Sequence, residues 1–360
     1  GDRAGTGPRV SAASPTTARR GFASDNTATI HPAVLARIAA VNVGHAFGYG
    51  HDPYSTEVAR QVADALGGVE TFFTFNGSGA NVLSLRACCR PWQSVICSEH
   101  AHIHTDETGA PEAVAGLKLM PVTAPEGRMD AAAIRSLLAF READEHAVMP
   151  RVLSITQSTE LGTVYDLTEF RDLVELAHDH GMLVHVDGAR LANAAAALDI
   201  GLDEVVAGTD IVSFGGTKNG LLGGEAVVVM REDLLEGMLW LRKQTLQLAS
   251  KMRFLAAQFD ALLEDDLWRV NAAHANAMAR RLQAAVSGLD GVTVTRPAQA
   301  NAVFAAISAA ARERLLAQFD FYPWDERTGE VRWMCSWDTT EEDVDRFAAA
   351  VAEAAGASPA

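Results

Sequence analysis

Cysteine is scarce. The 360 residues hold four, Cys88, Cys89, Cys97 and Cys335, without metal-ligand spacing and too few for a disulfide framework. That usage points to a reducing, cytoplasmic setting. Basic charge is also short, with 30 Lys and Arg against 46 Asp and Glu and a net charge of −16. The sign is wrong for nucleic acid or an anionic membrane surface and favours solubility. No uncharged apolar run approaches the ~20 residues of a membrane span. The mean hydropathy of +0.04 therefore reflects abundant alanine. Residues 1–21 have little to bury and are expected to form a disordered tail. They lack the apolar stretch of a secretory signal, and their acid-poor, Arg- and Ser-containing makeup lacks the amphipathic pattern of a transit peptide. There is no internal repeat and no long linker.

What is present is an apolar content of 48%, ample for a buried core. At ~150 residues per domain the length suggests two domains. From Phe22 onward apolar strand-like runs alternate with helical stretches. The runs are TFFTF, SVICS, LKLMPV, RVLSIT, MLVHV, DIVSF and EAVVV, and the helical stretches include 81–89, 130–143 and 167–180. Such alternation implies an α/β fold, a mostly parallel sheet covered on both faces. After Glu232 the pattern changes to a long helical region reaching Leu263 and a second over 271–286. VTVT, AVFAAI and VRWMC follow as strands, with helices over 309–319 and 341–354. This predicts a large domain over 22–250 and a smaller α+β C-terminal domain over 251–360.

Two apolar runs end in polar groups of opposite sign. LVHVDGAR delivers Asp187, and DIVSFGGTKNG delivers Lys218 among glycines. The carboxyl ends of parallel strands are where open α/β sheets bind ligands. A carboxylate and an amine on one rim suit pyridoxal phosphate (PLP): the amine forms a Schiff base, and the carboxylate pairs with the pyridinium nitrogen. Asp187 also reads as an N-cap for the helix that starts near Ala189, and Lys218 as a solvated loop lysine. GGTKNG lacks phosphate-loop spacing. In NGSGAN, Gly77, Ser78 and Gly79 place N–H groups and a hydroxyl at a helix start, which suits a phosphate.

These segments, with ASDN, YGHDPY, AHI, HVDGARLANA, KMR and VRWMCSWDTTEEDV, resemble the threonine aldolase and β-eliminating lyase family in order and content from Phe22 to about Ala350. The resemblance implies the type I PLP-dependent, aspartate-aminotransferase-like fold. It makes Lys218 the Schiff-base lysine and His102 the histidine stacked on the cofactor ring. Arg190 contacts the cofactor's phenolic oxygen or the substrate carboxylate, and Ser213 adds a phosphate contact. Arg253 reaches a neighbouring subunit's site or lies on a helix surface. Arg332, assisted by Ser24, binds the substrate carboxylate through its planar fork. His146 helps deprotonate the β-hydroxyl or is an exposed loop histidine. His100, His102 and His104 alternate at period two, which also describes a strand face or a metal cluster. No carboxylate or Cys partner is visible, and no metal site is assigned.

The implied activity is retro-aldol cleavage of a β-hydroxy-α-amino acid of threonine, allo-threonine or phenylserine type to glycine and an aldehyde. β-Elimination or transamination on the same scaffold is the alternative. A regulatory PLP- or amino-acid-binding protein is a rival of another class. A homo-oligomer, dimer or tetramer, is implied, with YGHDPY crossing between subunits or forming a local turn. Departures from the family pattern fall near the substrate. Gln157-Ser158-Thr159-Glu160 replaces the common Glu-Asn-Thr-His, Thr217 replaces a serine, and Ala249-Ser250 replaces a glycine-rich stretch. Trp324, Trp333 and Trp337 line a pocket or pack in the core.

Overall fold

The structure, a computed structural model, describes residues 20–139 and 145–356. Residues 1–19 of the expected tail, and 140–143 of the helix expected over 130–143, lie outside the described residues. The tail's last two residues are tied down: Arg20 pairs with Asp338 at 3.0 Å, and Gly21 packs against the backbone of Asp320.

Seven strands form the large sheet: β1 (Glu70–Thr74), β2 (Gln93–Ser98), β3 (Lys118–Val122), β4 (Met149–Thr156), β5 (Leu183–Gly188), β6 (Ile211–Gly215) and β7 (Glu225–Val229). Their order is β1-β7-β6-β5-β4-β2-β3. β3, β2, β4, β5 and β6 are mutually parallel, and β7 is antiparallel to both β6 and β1. Two reversals restore direction, so β1 runs with β6. Six strands thus present their carboxyl ends at one edge.

The strands read as continuous apolar runs because both faces are covered. Along β5 and β6, Val184, Val186, Val212 and Phe214 enter one core, whereas Leu183 and Ile211 enter another beneath the Gly77–Cys88 helix. The second face changes character along the strands. Val152 and Leu183 pair near the amino ends, Ser154 and His185 pair next, and Thr156 pairs with Asp187 at the rim. Period-two alternation carries this polarity gradient to the carboxyl edge.

Four antiparallel strands form the small sheet: β8 (Val292–Val294), β9 (Ala302–Ile307), β10 (Tyr322–Asp325) and β11 (Glu330–Met334), in the order β10-β11-β9-β8. The cores place the break later than residue 250. Met252, Leu255, Phe259 and Leu262 of the Met252–Leu263 helix belong to the large core, with Trp268 and Ala272. Met278, Leu282 and Val286, farther along the Leu267–Val286 helix, belong to the small core. Phe22 also joins the small core, stacked on Phe347 at 4.3 Å. The continuous helix expected up to Leu263 is interrupted at Gly237 and Leu246, both at positive φ.

The YGHDPY segment has local duties. Asp52 caps the Pro53–Leu66 helix by accepting from the Ser55 N–H at 2.8 Å, and Tyr54 donates to Asp260 at 2.6 Å. Among the described residues no helix is long and apolar enough to cross a membrane.

Phe347 touches Phe22, Phe319, Phe321 and Trp333. Phe347→Ala is expected to destabilise the fold by about 3–5 kcal/mol, whereas Phe347→Leu costs much less. Urea denaturation checks both, and equal losses would contradict this packing.

Candidate active site

Lys218 stands in a tight turn beyond β6. The turn exists because Gly215 can meet another backbone closely: a Cβ there would lie 2.5 Å from the Ala189 carbonyl oxygen. Gly220 closes it at φ +97°. Glu225, at the start of β7, holds the turn from below. Its carboxylate accepts the Gly216 N–H at 2.8 Å and the Thr217 hydroxyl at 2.7 Å. The Lys218 amine makes no hydrogen bond or ion pair among the described residues. Burial pulls its pKa below the usual lysine range, and the Arg190 guanidinium adds to this against Asp25, Asp187 and Glu225. A lysine so placed has a larger neutral, nucleophilic fraction.

Asp187 ends β5 on the same rim and is buried. One oxygen accepts the Ala189 N–H at 3.1 Å, but the helix that follows begins at Leu191 with Arg190 at its cap position and no side-chain cap, so Asp187 does not take the capping role considered from sequence. The other accepts from Asn81 at 2.9 Å. The same Asn81 amide donates to Glu107 at 3.0 Å, and Glu107 bonds His102 Nδ1 at 2.9 Å. The chain Asp187–Asn81–Glu107–His102 thus links the ends of β5 and β2 to the Gly77–Cys88 helix. The Glu107 bond pushes the His102 pKa up and favours imidazolium. His102 opens a helical turn, His102–Thr105, so the three histidines do not share a strand face.

Arg190 donates from Nε and Nη2 to the two oxygens of Asp25 at 2.7 and 2.8 Å. Asn301 adds a third donor to Asp25 at 3.0 Å. Burial raises the Asp25 carboxyl, but Arg190 outweighs it and holds the group below the usual range. Ser24 precedes this aspartate and donates to it at 3.3 Å. Arg332 lies beside the same segment, Nη2 donating to the Ala23 carbonyl at 3.5 Å. Its guanidinium sits over the Tyr322 and Trp324 rings. No carboxylate pairs with it among the described residues. Burial and Arg190 lower its pKa to about 10. A desolvated guanidinium lacking a counter-ion is primed for an anionic ligand. Of the three tryptophans, Trp324 faces this guanidinium, Trp333 is fully buried, and Trp337 donates to the Thr29 carbonyl at 2.8 Å.

At the end of β1, Asn76 caps the Gly77–Cys88 helix by accepting from Gly79 at 2.8 Å. The space around Gly77 is open. The Gln247 side chain covers Gly79, where a Cβ would lie 2.2 Å from it, and Gln247 also accepts from Phe75 N–H at 2.9 Å. The Gly79 and Phe75 N–H groups are thus taken, and the open space at this helix start lies at Gly77.

Three residues named from the sequence stand apart from this cluster within one chain. His146 lies in an exposed turn that leads into the amino end of β4. The strand's length, roughly 23 Å at ~3.3 Å per residue, separates it from the rim. Ser213 pairs in register with Asp187, is buried, and has its hydroxyl engaged by Ser84 at 3.2 Å and His185 at 3.1 Å. Arg253 donates to the Val43 and Gly44 carbonyls at 3.0 and 3.4 Å, and within this chain it bonds no member of the cluster. Lys218, Asp187, His102, Arg190, Ser24, Arg332 and the 77–79 turn do converge on one edge.

Five further residues belong with them: Asp25, Asn81, Glu107, Glu160 and Glu225. Glu160 follows β4 and accepts from the His102 N–H and the Thr156 hydroxyl, both at 2.8 Å. Asp25, Asn81 and Glu160 lie inside segments already singled out, ASDN, NGSGAN and the departure after β4, which was their one signal in sequence.

Comparison with known proteins gives a consistent result. The model of the β-eliminating lyase family matches residues 21–310. The low-specificity L-threonine aldolase of Pseudomonas aeruginosa is 43% identical over 334 residues, covering 91% of this chain and 95% of that one. The enzyme of the same description from a Pseudomonas species is 42% identical over 335 residues, covering 91% and 96%. The Leishmania major threonine aldolase structure superposes with a TM-score of 0.87 at 32% identity, covering 92% of this chain and 98% of that one.

Burial, with nearby Asp187 for Glu160, raises both Glu160 and Glu225 to about 7 from an ordinary 4.5. Between these limits the ligand-free folded chain keeps protons the unfolded chain has lost, so both groups make stability fall as pH rises. His185, lowered by burial to about 4, acts oppositely at lower pH. The difference between wild type and Glu225→Gln isolates one carboxyl. In thermal denaturation the variant should gain on wild type as pH rises from about 4.5 to about 7. A gap independent of pH would contradict the raised carboxyl.

Proposed function

Because the chain belongs to the β-eliminating lyase family, we propose that it is a carbon–carbon lyase. It cleaves β-hydroxy-α-amino acids of the threonine, allo-threonine or phenylserine type to glycine and an aldehyde. The family depends on pyridoxal phosphate. The observation that carries the reading is an uncommitted lysine amine sharing a rim with a held carboxylate and an unpaired guanidinium.

The residues suit PLP. Besides the free amine, Asn81 Oδ1, Glu107 Oε2, Glu160 Oε2 and Arg332 Nε are buried without a hydrogen-bond partner among the described residues. Buried polar atoms ordinarily have partners, and clustered exceptions at a rim point to a ligand. When bound, PLP supplies a carbonyl that condenses with amines and a pyridinium ring that takes up the electron pair released at Cα. Lys218 provides the holding amine, and its depressed pKa keeps a neutral fraction available. Asp187 holds the proton on the ring nitrogen, and Asn81 and the Ala189 N–H fix its orientation. His102, oriented by Glu107, would lie against the ring. The 77–79 turn holds the phosphate at the helix N-terminus.

Arg332, with Ser24, would bind the substrate carboxylate and so orient the substrate at the site. Arg190 has only Nη1 uncommitted after pairing with Asp25 and touching the Met334 sulfur at 3.0 Å, so it offers a ligand one donor edge. A second copy of the chain completes the assembly. Support comes from the exposed apolar side chains Phe47, Tyr49, Trp240 and Leu246, beside the segment that Arg253 binds. The four free, buried cysteines support a cytoplasmic setting.

Supplied with PLP and each amino acid in turn, the protein is expected to release glycine and aldehyde in equal amounts. A keto acid with ammonia, or a keto acid with aminated cofactor, would contradict the cleavage. Lys218→Ala should lose turnover. Arg332→Ala should lower kcat/KM by about 30-fold, the loss of about 2 kcal/mol of charge-assisted bonding, mainly through KM. A loss confined to kcat would place the substrate carboxylate elsewhere.

A further inference from the structure

Cleavage of this kind needs a group that accepts the β-hydroxyl proton, and His146, at the far end of β4, is badly placed. The acceptors already placed in the cluster are committed. Both Asp187 oxygens are engaged, by Ala189 and Asn81. Asp25 holds Arg190 and Asn301. Glu225 holds the Gly216–Thr217 turn. His102 is bonded through Nδ1 to Glu107 and is already assigned to the cofactor ring. Glu107 has an open Oε2, but its side chain has no exposure, whereas residue Glu160 is partly exposed.

Glu160 differs. It sits in the stretch that departs from the family pattern, and the loop around it is tightly held. Gln157 bonds both backbone polar groups of Tyr165 at 3.1 Å. Thr159 bonds Thr163 through side chains at 2.7 Å and backbone at 2.9 Å. This fixes Glu160 between β4 and His102, with Oε1 taking two hydrogen bonds. Oε2 has none, and Glu160 is in no ion pair among the described residues. A carboxylate with one anchored and one open oxygen is suited to moving a proton.

We propose that Glu160 accepts the substrate's β-hydroxyl proton. The inference rests on the aldolase reading above. As the hydroxyl O–H breaks, the proton forms a bond to Glu160 Oε2. The oxygen's electron pair forms the aldehyde C=O, the Cα–Cβ bond breaks, and its pair stays on Cα. The proton leaves to solvent when the aldehyde departs.

The groups around Glu160 suit that task. Asp187 from β5, Cys97 from β2, and Tyr165, Arg190 and His102 surround it. Burial first, then Asp187, raise its carboxyl to about 7, and the His102 and Thr156 bonds only partly offset them. An acceptor with a pKa near the working pH is the efficient one.

The test compares holoenzyme and Glu160→Gln on two reactions. Threonine cleavage needs a β-hydroxyl acceptor. Exchange of the glycine α-proton with solvent deuterium, followed by NMR, uses the same amine and carboxylate sites but has no β-hydroxyl. Glu160→Gln should lower kcat on threonine about 100-fold or more, leave KM and glycine exchange within about twofold, and remove the acidic limb of the kcat/KM profile. In the ligand-free protein, the infrared difference between wild type and variant should show one carboxyl titrating near neutral pH.

Parallel loss of cleavage and exchange would make Glu160 structural and overturn the assignment. So would an unchanged kcat, or a carboxyl that titrates in the ordinary range. Wild type that releases no aldehyde overturns the functional reading and this assignment with it. Wild type that releases aldehyde beside an equally active variant overturns this assignment alone.

Discussion

Arg190 and Asp25 form a buried, two-bond ion pair, and much of the site hangs on it. Arg190 comes from just beyond β5 of the large sheet, and Asp25 from the segment beside Phe22, whose ring lies in the small core. Asn301, which also holds the Cys335 carbonyl at 2.8 Å, ties the small sheet to the same aspartate. The pair therefore joins both domains at the point where the substrate carboxylate is expected. Breaking such a pair by deleting one partner leaves an uncompensated buried charge, a cost of about 3–5 kcal/mol. The guanidinium also depresses the pKa of Lys218 and of Arg332. One interaction fixes the domain arrangement and tunes the amine.

The charges around the amine are unequal. Asp25, Asp187, Glu107, Glu160 and Glu225 face Lys218, Arg190 and Arg332. Full ionisation of all five carboxyls would leave excess negative charge in a poorly solvated space. The fold answers in two ways. Asp25 is paired, and Glu160 and Glu225 retain protons toward neutral pH. The rim thus holds exchangeable protons next to a lysine that is readily deprotonated. The polarity gradient along β4, β5 and β6 carries this arrangement into an otherwise apolar sheet.

The sheet was legible because its strands are short apolar runs with polar ends; EAVVV coincides with β7, Glu225–Val229. YPWD, which forms β10 at a sheet edge, escaped because a proline and two polar ends hide its pattern. Lys218 and Asp187 were legible for the same reason as the strands that deliver them. Asn81, Glu107 and Glu160 were not, because their partners lie far away in sequence and are met only in the folded state. His146 stands apart from the cluster within one chain because it precedes the amino end of β4, and a spacing in sequence does not reveal which strand end faces the site. Ser213 lies level with Asp187, and only the fold reveals that Ser84 and His185 take its hydroxyl. The histidine triplet has a strand's period, yet it follows the end of β2 and folds as a helical turn.

The central claim is that the Lys218 amine carries the cofactor. The chain has only three other lysines, Lys118, Lys243 and Lys251, and these serve as internal controls. The protein loaded with pyridoxal phosphate would be reduced with borohydride, digested and mapped by mass spectrometry. The account predicts the cofactor's mass on the peptide bearing Lys218 and unmodified peptides for the other three. Attachment at another lysine, or no attachment at all, would contradict it.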